Sequence, residues 1–265
     1  MSVSSNRKAT SRSWRTGAAL ATIGALVLGG VAVWSWLAGA RTVSVKDEFQ
    51  TYQHAVSRVE VDLFSGQVAV AAGRSDRVVV ERRLQWKDTQ PTYKEEWSGD
   101  VLRITVECPG AHERCGIDYT LRIPAGASLQ AHSGSGDMAV RDLAGEVRLD
   151  TGSGEATIDN ITGKLWIRSG AGDVKATRLR SQDTDIDTGS GTVDLRYLDP
   201  VSRARVVTGS GEIRVSVPNG SFEDGYNVQA DTGSGTREVG VRVDSASTRT
   251  ITVSTGSGDI TVNNT

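Results

Sequence analysis

The chain has 265 residues with 30 glycines but only 5 prolines and 3 phenylalanines, so glycine is abundant while large aromatic core formers are scarce. Its net charge is -2, but four cations stand within the first sixteen residues: Arg7, Lys8, Arg12 and Arg15. The rest of the chain holds the other 26 basic side chains and all 32 acidic ones. This acidic balance repels a phosphate backbone and argues against nucleic-acid binding.

An uncharged segment follows the basic tail. Residues 17–37 carry no charge over 21 positions, and a helix of that length matches the ~30 Å hydrocarbon core of a bilayer. The cations before it and the acidic residues that soon follow it place the N-terminus in the cytoplasm. The sequence therefore predicts a cytoplasmic basic tail over 1–16, a transmembrane helix over 17–37 in a bacterial cytoplasmic membrane, and an extracytoplasmic remainder that begins with a polar stalk over 38–56.

A cleaved signal peptide is the alternative to this retained anchor. Ala38-Gly39-Ala40 has the small-x-small form of a cleavage site. The apolar run is longer, however, than the ~7 to 15 residues of a typical signal core. Both interpretations leave the rest of the chain outside the cytoplasm.

The predicted location outside the cytoplasm determines how the only two cysteines are interpreted. Cys108 and Cys115 are seven residues apart across a Pro-Gly turn. In an oxidising compartment, we expect them to form a disulfide that closes a short loop. Only His112 lies between the two cysteines, and two thiols with one imidazole are an incomplete ligand set for a metal site.

The C-terminal half repeats one glycine-rich turn. The pattern TGSGDITV at 255–262 occurs, with small changes, seven times at spacings of 18 to 24 residues, beginning at Ser133, Thr151, Ser169, Thr188, Thr208, Thr232 and Thr255. Periods of this size are typical of stacked repeat architectures. Two glycines in each turn permit positive φ and a close approach of neighbouring backbones. These turn glycines are Gly134, Gly136, Gly152, Gly154, Gly170, Gly172, Gly189, Gly191, Gly209, Gly211, Gly233, Gly235, Gly256 and Gly258.

Apolar and polar residues alternate on both sides of every turn, which is the period of a β-strand. A single strand-turn-strand unit buries too little apolar surface to stand alone, but stacked units align their apolar positions into four columns. Leu143, Ile161 and Leu179 recur at intervals of eighteen residues and mark a second corner. The prediction is an all-β, single-stranded β-solenoid (β-helix) of about seven regular coils over 129–265, preceded by degenerate capping coils over 57–128.

These motifs resemble those of a bacterial family. The T-G-S-G-D/E repeat stands behind one N-terminal membrane segment, with a cysteine pair just ahead of the Y-x-L-x-I-P-x-G stretch at 119–126. This combination is similar to a domain-of-unknown-function family of β-strand-repeat envelope proteins that are often labelled adhesin candidates. The resemblance covers about residues 57–265. It implies an envelope protein with a β-helical ectodomain, without established catalytic residues or cofactors.

The acidic residues after the turns raise a cation hypothesis. In-register stacking places Asp137, Glu155 and Asp173 one above another, and like charges directly opposite on adjacent strands are destabilising. Exposure to solvent, hydrogen bonds to turn N–H groups, or ion pairs with Lys and Arg would relieve the repulsion. A bound cation is the fourth route, because hard cations favour clustered carboxylates. We favour solvation and turn capping, so these residues are a candidate cation ladder but no metal is expected.

Trp166 is the candidate ligand contact. It stands between Leu165 and Ile167 on the outward parity of its strand, where an exposed indole can meet a sugar. A carbohydrate-active enzyme would need concentrated acids, and the available set is Asp183, Asp185 and Asp187. Their alternation with core positions favours a solvated strand face, so we expect that the chain is not an enzyme.

The sequence as a whole predicts a membrane-anchored extracytoplasmic β-solenoid with a non-catalytic binding, adhesion-like or surface-scaffold role, whose partner is an envelope protein or glycan. The alternatives are the ectodomain of an envelope-stress sensing or regulatory system, and a carbohydrate-active β-helix enzyme. The last repeat ends soon after Val262. This ending predicts an open strand edge at the C-terminal end of the solenoid, and self-association through it.

Overall fold

A computed structural model describes residues 43–74, 76–109, 115–218 and 225–265. The predicted tail and transmembrane helix over 1–37 lie outside these ranges. Among the residues described, no helix is long and apolar enough to cross a membrane.

The described ranges fold into strands and their connections, which confirms the all-β prediction. The strands are β1 (Ser44–Tyr52), β2 (Arg58–Ser65), β3 (Val68–Ala72), β4 (Val78–Trp86), β5 (Thr92–Ser98), β6 (Val101–Glu107), β7 (Cys115–Ile123), β8 (Ser128–Ser135), β9 (Met138–Arg141), β10 (Val147–Ser153), β11 (Ala156–Asp159), β12 (Leu165–Ala171), β13 (Val174–Leu179), β14 (Asp183–Ser190), β15 (Val193–Tyr197), β16 (Arg203–Ser210), β17 (Ile213–Val217), β18 (Asn227–Thr232), β19 (Arg237–Val239), β20 (Thr250–Ser257) and β21 (Ile260–Asn264).

The strands form two sheets. One has 11 strands in the order β1-β4-β7-β3-β9-β11-β13-β15-β17-β21-β19, and the other has 10 in the order β18-β20-β16-β14-β12-β10-β8-β2-β6-β5. Repeat strands pair in parallel, so that Thr151 lies opposite Ser133 on one side and Ser169 on the other. Each glycine turn joins a strand of the 10-stranded sheet to a strand of the 11-stranded sheet, as between β10 and β11. The predicted solenoid-like stack of parallel strands is thereby confirmed.

The core lies between the two sheets. Inward-facing residues of the predicted apolar columns are buried, as Leu149, Ile158 and Ile167 show. Leu143 and Ile161, from the predicted second corner, are buried as well. The alternation of buried and exposed side chains along each strand therefore gives each sheet one apolar face, and the two apolar faces meet.

The two glycines of a turn have different roles, as Gly152 and Gly154 illustrate. Gly154 has a φ of +136°, and a Cβ added to it would lie 2.3 Å from the carbonyl oxygen of Gly136 in the neighbouring turn. At Gly152 the close approach alone excludes a side chain, because an added Cβ would lie 2.4 Å from the carbonyl oxygen of Gly134. The stack therefore requires glycine at both positions.

Antiparallel pairing in the N-terminal region departs from the predicted stalk and coils, and one such pair is β4 with β7. Ser44–Tyr52, within the predicted stalk, forms β1 and pairs antiparallel with β4. The sequence pattern concealed this strand because its partly buried residues, Glu48, Thr51 and Tyr52, are polar rather than aliphatic. The Ser-Gly-Asp turn at 98–100, within the predicted capping coils, forms a tight antiparallel hairpin between β5 and β6, in which Ser98 pairs with Val101.

At the C-terminal end, the order of the strands in space differs from their order in the chain. The last repeat, β20 and β21, lies between β16/β17 and β18/β19. Val262 therefore pairs on both sides, with Val215 and Val239, so the predicted open edge does not belong to the last repeat. The edge strands at this end of the described stack are β18 and β19.

Arg237 marks this edge. It stands in register with Ile260, at a position that is apolar and buried in the other repeats. Its Nη1 donates a hydrogen bond of 3.0 Å to the carbonyl oxygen of Ala230. A charged side chain in a core register at a sheet edge disfavours the addition of another strand.

Candidate functional site

Two of the three acidic residues of the candidate cation ladder accept hydrogen bonds from the backbone of neighbouring turns, whereas Glu155 accepts one from the Thr157 hydroxyl. Asp137 Oδ1 accepts a hydrogen bond of 2.9 Å from the N–H of Glu155, and Asp173 Oδ1 accepts one of 2.7 Å from the N–H of Thr192. Within the described ranges, no group of three or more His, Cys, Asp or Glu side chains is placed to hold a metal ion. In this structure the carboxylates of Asp137 and Asp173 act as turn caps.

The hydroxyl that begins the turn is also structural in five of the seven repeats. Thr151 is buried, and its Oγ1 donates a hydrogen bond of 3.1 Å to the carbonyl oxygen of Ser153, two residues later. Ser133, Thr188, Thr208 and Thr255 make the equivalent bond. Because these hydroxyls face the core, they close the turn and do not form a polar groove on the surface.

The two cysteines are joined. Cys108 and Cys115 form a disulfide with their Cα atoms 5.8 Å apart. Ser65 Oγ donates a hydrogen bond of 2.6 Å to the carbonyl oxygen of Cys115. This bond attaches Cys115 to the end of β2.

Trp166 lies on the outward face of β12 and is half-buried. Two guanidinium groups stack on its indole: that of Arg148, 4.5 Å from the ring centroid, and that of Arg168, at 4.8 Å. Arg148 stands directly opposite Trp166 on β10, and Arg168 follows two residues along β12. Each contact of this kind contributes about 0.5–1 kcal/mol at an exposed site, so the indole is held between the two side chains.

The three aspartates of β14 occupy the same outward face, as their spacing predicts. Asp185 Oδ1 accepts a hydrogen bond of 2.9 Å from Arg205 Nη1, and its Oδ2 accepts one of 3.3 Å from Arg203 Nη2. Asp183 lies 3.9 Å from both Lys164 and Arg203. Opposite charges on adjacent strands stabilise the sheet, and these two carboxylates are engaged in that role.

A shallow depression of about 230 Å³ connects these groups. Trp166 and Arg148 line one side of it, and Asp185 and Arg203 line the other. The surface is open and of mixed charge, and one indole lines it. Such a surface can contact an extended polar ligand through one aromatic ring and several hydrogen-bonding groups.

The sequence did not predict a polar cluster that lies at the N-terminal end of the core. Arg82 is only 7% exposed, and its Nε lies 2.7 Å from Glu95 Oε1. Its Nη1 donates hydrogen bonds to Glu48 Oε2 at 3.1 Å and to the hydroxyl oxygen of Tyr93 at 2.7 Å. The Tyr52 hydroxyl donates to Glu95, and burial together with this bond raises the pKa of Tyr52 to about 12. The cluster joins β1, β4 and β5 across the end of the two sheets.

One signal in the sequence could have revealed this cluster. Arg82 stands between Val80 and Leu84, at the parity that its strand otherwise reserves for buried aliphatic residues. A charged residue in a core register requires a buried partner of opposite charge. On β5, Tyr93 and Glu95 follow the same alternation and supply a hydroxyl and a carboxylate.

Glu48 gives this cluster a pH dependence. Hydrogen bonds from Lys46 and then Tyr93 lower the pKa of its carboxyl below the ordinary value of 4.5. Because the folded pKa is depressed, the contribution of Glu48 to stability is complete above that ordinary value and is lost as the pH falls through the folded pKa. We expect the advantage in melting temperature of the natural chain over Glu48→Gln to hold at neutral pH and to shrink below about pH 4.5.

Thermal melts followed by circular dichroism at stepped pH values measure this advantage. Glu146→Gln is the matched control, because the Glu146 side chain forms no ion pair with the residues that the structure describes. An advantage of the natural chain over Glu48→Gln that persisted undiminished in acid would contradict the assignment.

Solved structures similar to the chain share little of its sequence. A candidate cell adhesion protein from Clostridium sporogenes is 14% identical with a TM-score of 0.41, over 84% of this chain and 100% of that one. A candidate adhesin from Bacteroides fragilis is also 14% identical, with a TM-score of 0.48 over 83% of this chain and 97% of that one. No curated protein matches the chain.

A family model matches most of the chain. The model, described as Toastrack DUF4097, covers residues 50–263, which include nearly all of the two sheets. Its bounds contain the glycine turns, the disulfide and the face around Trp166. The chain therefore belongs to the Toastrack family of domains of unknown function.

Proposed function

We propose that the chain is a non-catalytic binding protein of the cell envelope, anchored through residues 17–37, that presents the outward face of its 10-stranded sheet to an envelope glycan. The observation that carries the proposal is Trp166, an outward indole held by Arg148 and Arg168 beside an open depression. Within the described ranges neither guanidinium forms an ion pair, so their N–H groups remain available to hydroxyl or carboxylate oxygens of a ligand.

The architecture supports display of a fixed surface. Strands β8, β10, β12, β14 and β16 are each paired in parallel on both sides, and their inward side chains are packed in the core. Side chains on the outward face are therefore held at the regular spacing of the strands, about 4.8 Å apart. A rigid array of this kind suits an extended polymer better than a small molecule, because successive units of the polymer can meet successive strands.

The aspartates of β14, which a carbohydrate-active enzyme would use as acids, have a role in the proposed binding surface. Asp183 and Asp185 form ion pairs with Lys164, Arg203 and Arg205, which positions the cations at the rim of the depression. These aspartates thus help to shape a binding surface. The anchor is supported by the uncharged run over 17–37 and the cations before it.

Binding to peptidoglycan tests the proposal. The full chain, solubilised in detergent, is incubated with purified peptidoglycan and its bound fraction is measured by cosedimentation. We expect Trp166→Ala to weaken binding at least about tenfold, or ~1.4 kcal/mol, because an aromatic anchor at the centre of a contact surface carries a large share of the binding energy.

Leu198→Ala is the matched control, since Leu198 is 45% exposed and directly follows β15 of the 11-stranded sheet, away from the depression around Trp166. It should leave the bound fraction unchanged. Equal loss in both variants, or binding that is insensitive to Trp166→Ala, would reject this face as the binding surface. Release of soluble fragments from the peptidoglycan would reject the non-catalytic assignment.

A further inference from the structure

The strand at the N-terminal edge of the 11-stranded sheet is long and exposes apolar side chains. Within the described ranges, β1 pairs with β4 alone, so the backbone along its other side is unpaired over nine residues. Val45 and Phe49 are 54% and 65% exposed on this strand. Val45, Asp47 and Phe49 lie on the same face of the sheet, because side chains two residues apart on a strand point to the same side. An edge of this kind is a template for pairing with another strand.

The sequence of β1 is complementary to itself when it is reversed. If two copies pair antiparallel about a twofold axis at Asp47, Val45 of each copy lies opposite Phe49 of the other. Lys46 of each copy then lies opposite Glu48 of the other. Aromatic pairs with β-branched residues and pairs of opposite charge are both favourable across antiparallel strands.

The residue on the axis is the one like-charge contact in this register. Asp47 would face its own equivalent, but its Oδ1 already accepts a hydrogen bond of 3.1 Å from Arg83 Nε. Arg83 is the residue directly opposite Asp47 on β4. Arg83 of each copy therefore partly neutralises the Asp47 carboxylate of the same copy, which weakens the repulsion between the two carboxylates.

We propose that two copies of this chain associate through antiparallel pairing of β1 with β1, in the register centred on Asp47. This pairing joins two 11-stranded sheets edge to edge. It is independent of the proposed glycan binding, because β1 and Trp166 belong to different sheets.

The opposite end of the 11-stranded sheet lacks these properties. Its edge strand, β19, has only three residues, and Arg237 stands there in a core register. A short edge with an inward charge disfavours pairing. The sequence predicted self-association at the C-terminal edge of the solenoid. We assign it to β1 instead.

Cross-linking tests the register directly. The structure shows no free cysteine in the described ranges, and both cysteines of the chain are in its disulfide, so Asp47→Cys introduces the only free thiol. Directly opposite residues of antiparallel strands have Cα atoms about 4.5–5.5 Å apart, which a disulfide can bridge. The full chain in detergent is oxidised mildly and analysed on a non-reducing gel. We expect Asp47→Cys to form a covalent dimer.

Asp231→Cys provides the matched control, since it places an exposed thiol on the edge strand β18 at the other end. It should remain largely monomeric. Dimers from Asp231→Cys in place of Asp47→Cys would overturn the proposal in favour of the C-terminal edge. Failure of both thiols to cross-link would overturn it outright.

A second variant measures the contribution of the apolar pairs without a thiol. Phe49→Lys removes both symmetry-related contacts between Val45 and Phe49, and we expect the dissociation constant of the dimer to rise about tenfold in sedimentation experiments. Phe64→Lys replaces another exposed phenylalanine away from β1 and should leave the constant unchanged. An equal effect of the two lysines, or none from Phe49→Lys, would overturn the proposal.

Discussion

Replacement of Gly154 with valine is expected to lower the free energy of unfolding by at least ~3 kcal/mol. The backbone of Gly154 has a φ of +136°, a conformation that costs a side-chain-bearing residue about 1–3 kcal/mol. The new Cβ would also lie 2.3 Å from the carbonyl oxygen of Gly136. That contact is not easily relieved, because the N–H of Gly136 bonds to the carbonyl oxygen of Ser153 at 2.9 Å and fixes the neighbouring turn.

Three alanine variants separate the two causes. Gly99→Ala tests positive φ alone, because Gly99 has a φ of +62° with open space around its missing Cβ. Gly152→Ala tests close approach alone, with a contact of 2.4 Å. Gly126→Ala meets neither constraint and should be neutral. Urea denaturation gives all four free energies of unfolding, and a Gly154→Val value close to that of Gly126→Ala would refute the turn assignment.

The sequence predicted the repeat architecture because the determinants of each unit are local. Alternating apolar residues on both sides of Thr151 specify two strands, and the glycines between them specify the turn. Parallel stacking then follows from the equivalence of successive units, as the register of Val147 with Leu129 and Leu165 shows. Nothing beyond the period and the composition of the turn was needed for this part of the fold.

The order of the units in space was not predicted, because a repeat pattern defines the structure of one unit but not which units pair with each other. The last repeat has complete apolar columns, with Ile251, Val253 and Ile260 all buried, and it lies inside the stack. The repeat before it places Arg237 in the same register and lies at the edge. A unit with a charge in its apolar column belongs at an end, and this rule could have been applied to the sequence.

The candidate site was predicted only in part for a similar reason. The parity of β12 correctly placed Trp166 on the outward face. The contact with Arg148 depends on the pairing of β10 with β12, and the period alone does not show that these two residues become neighbours. The ion pairs of Asp185 with Arg203 and Arg205 depend in the same way on the register of β14 with β16.

Loss of the Arg82 guanidinium is expected to be the most damaging charge removal in the described part of the chain. Arg82→Met keeps most of the side-chain volume but leaves Glu95, whose side chain is 4% exposed, without its counter-charge. It also removes the hydrogen bonds to Glu48 and Tyr93. Removal of one member of a buried ion pair costs about 3–5 kcal/mol, because the remaining charge stays desolvated. We expect a decrease of that size in the free energy of unfolding measured with urea.

The neighbouring arginine supplies the control. Arg83 pairs with Asp47 at 3.1 Å, but both side chains are more than half exposed, so Arg83→Met should cost less than about 1 kcal/mol. A double variant, Arg82→Met with Glu95→Gln, also removes the unpaired charge of Glu95 and should therefore recover part of the lost free energy of unfolding. If Arg82→Met costs no more than Arg83→Met, the cluster does not stabilise the N-terminal end of the core. Recovery in the double variant would instead show that the loss arises from the unpaired carboxylate, because the methionine is present in both variants.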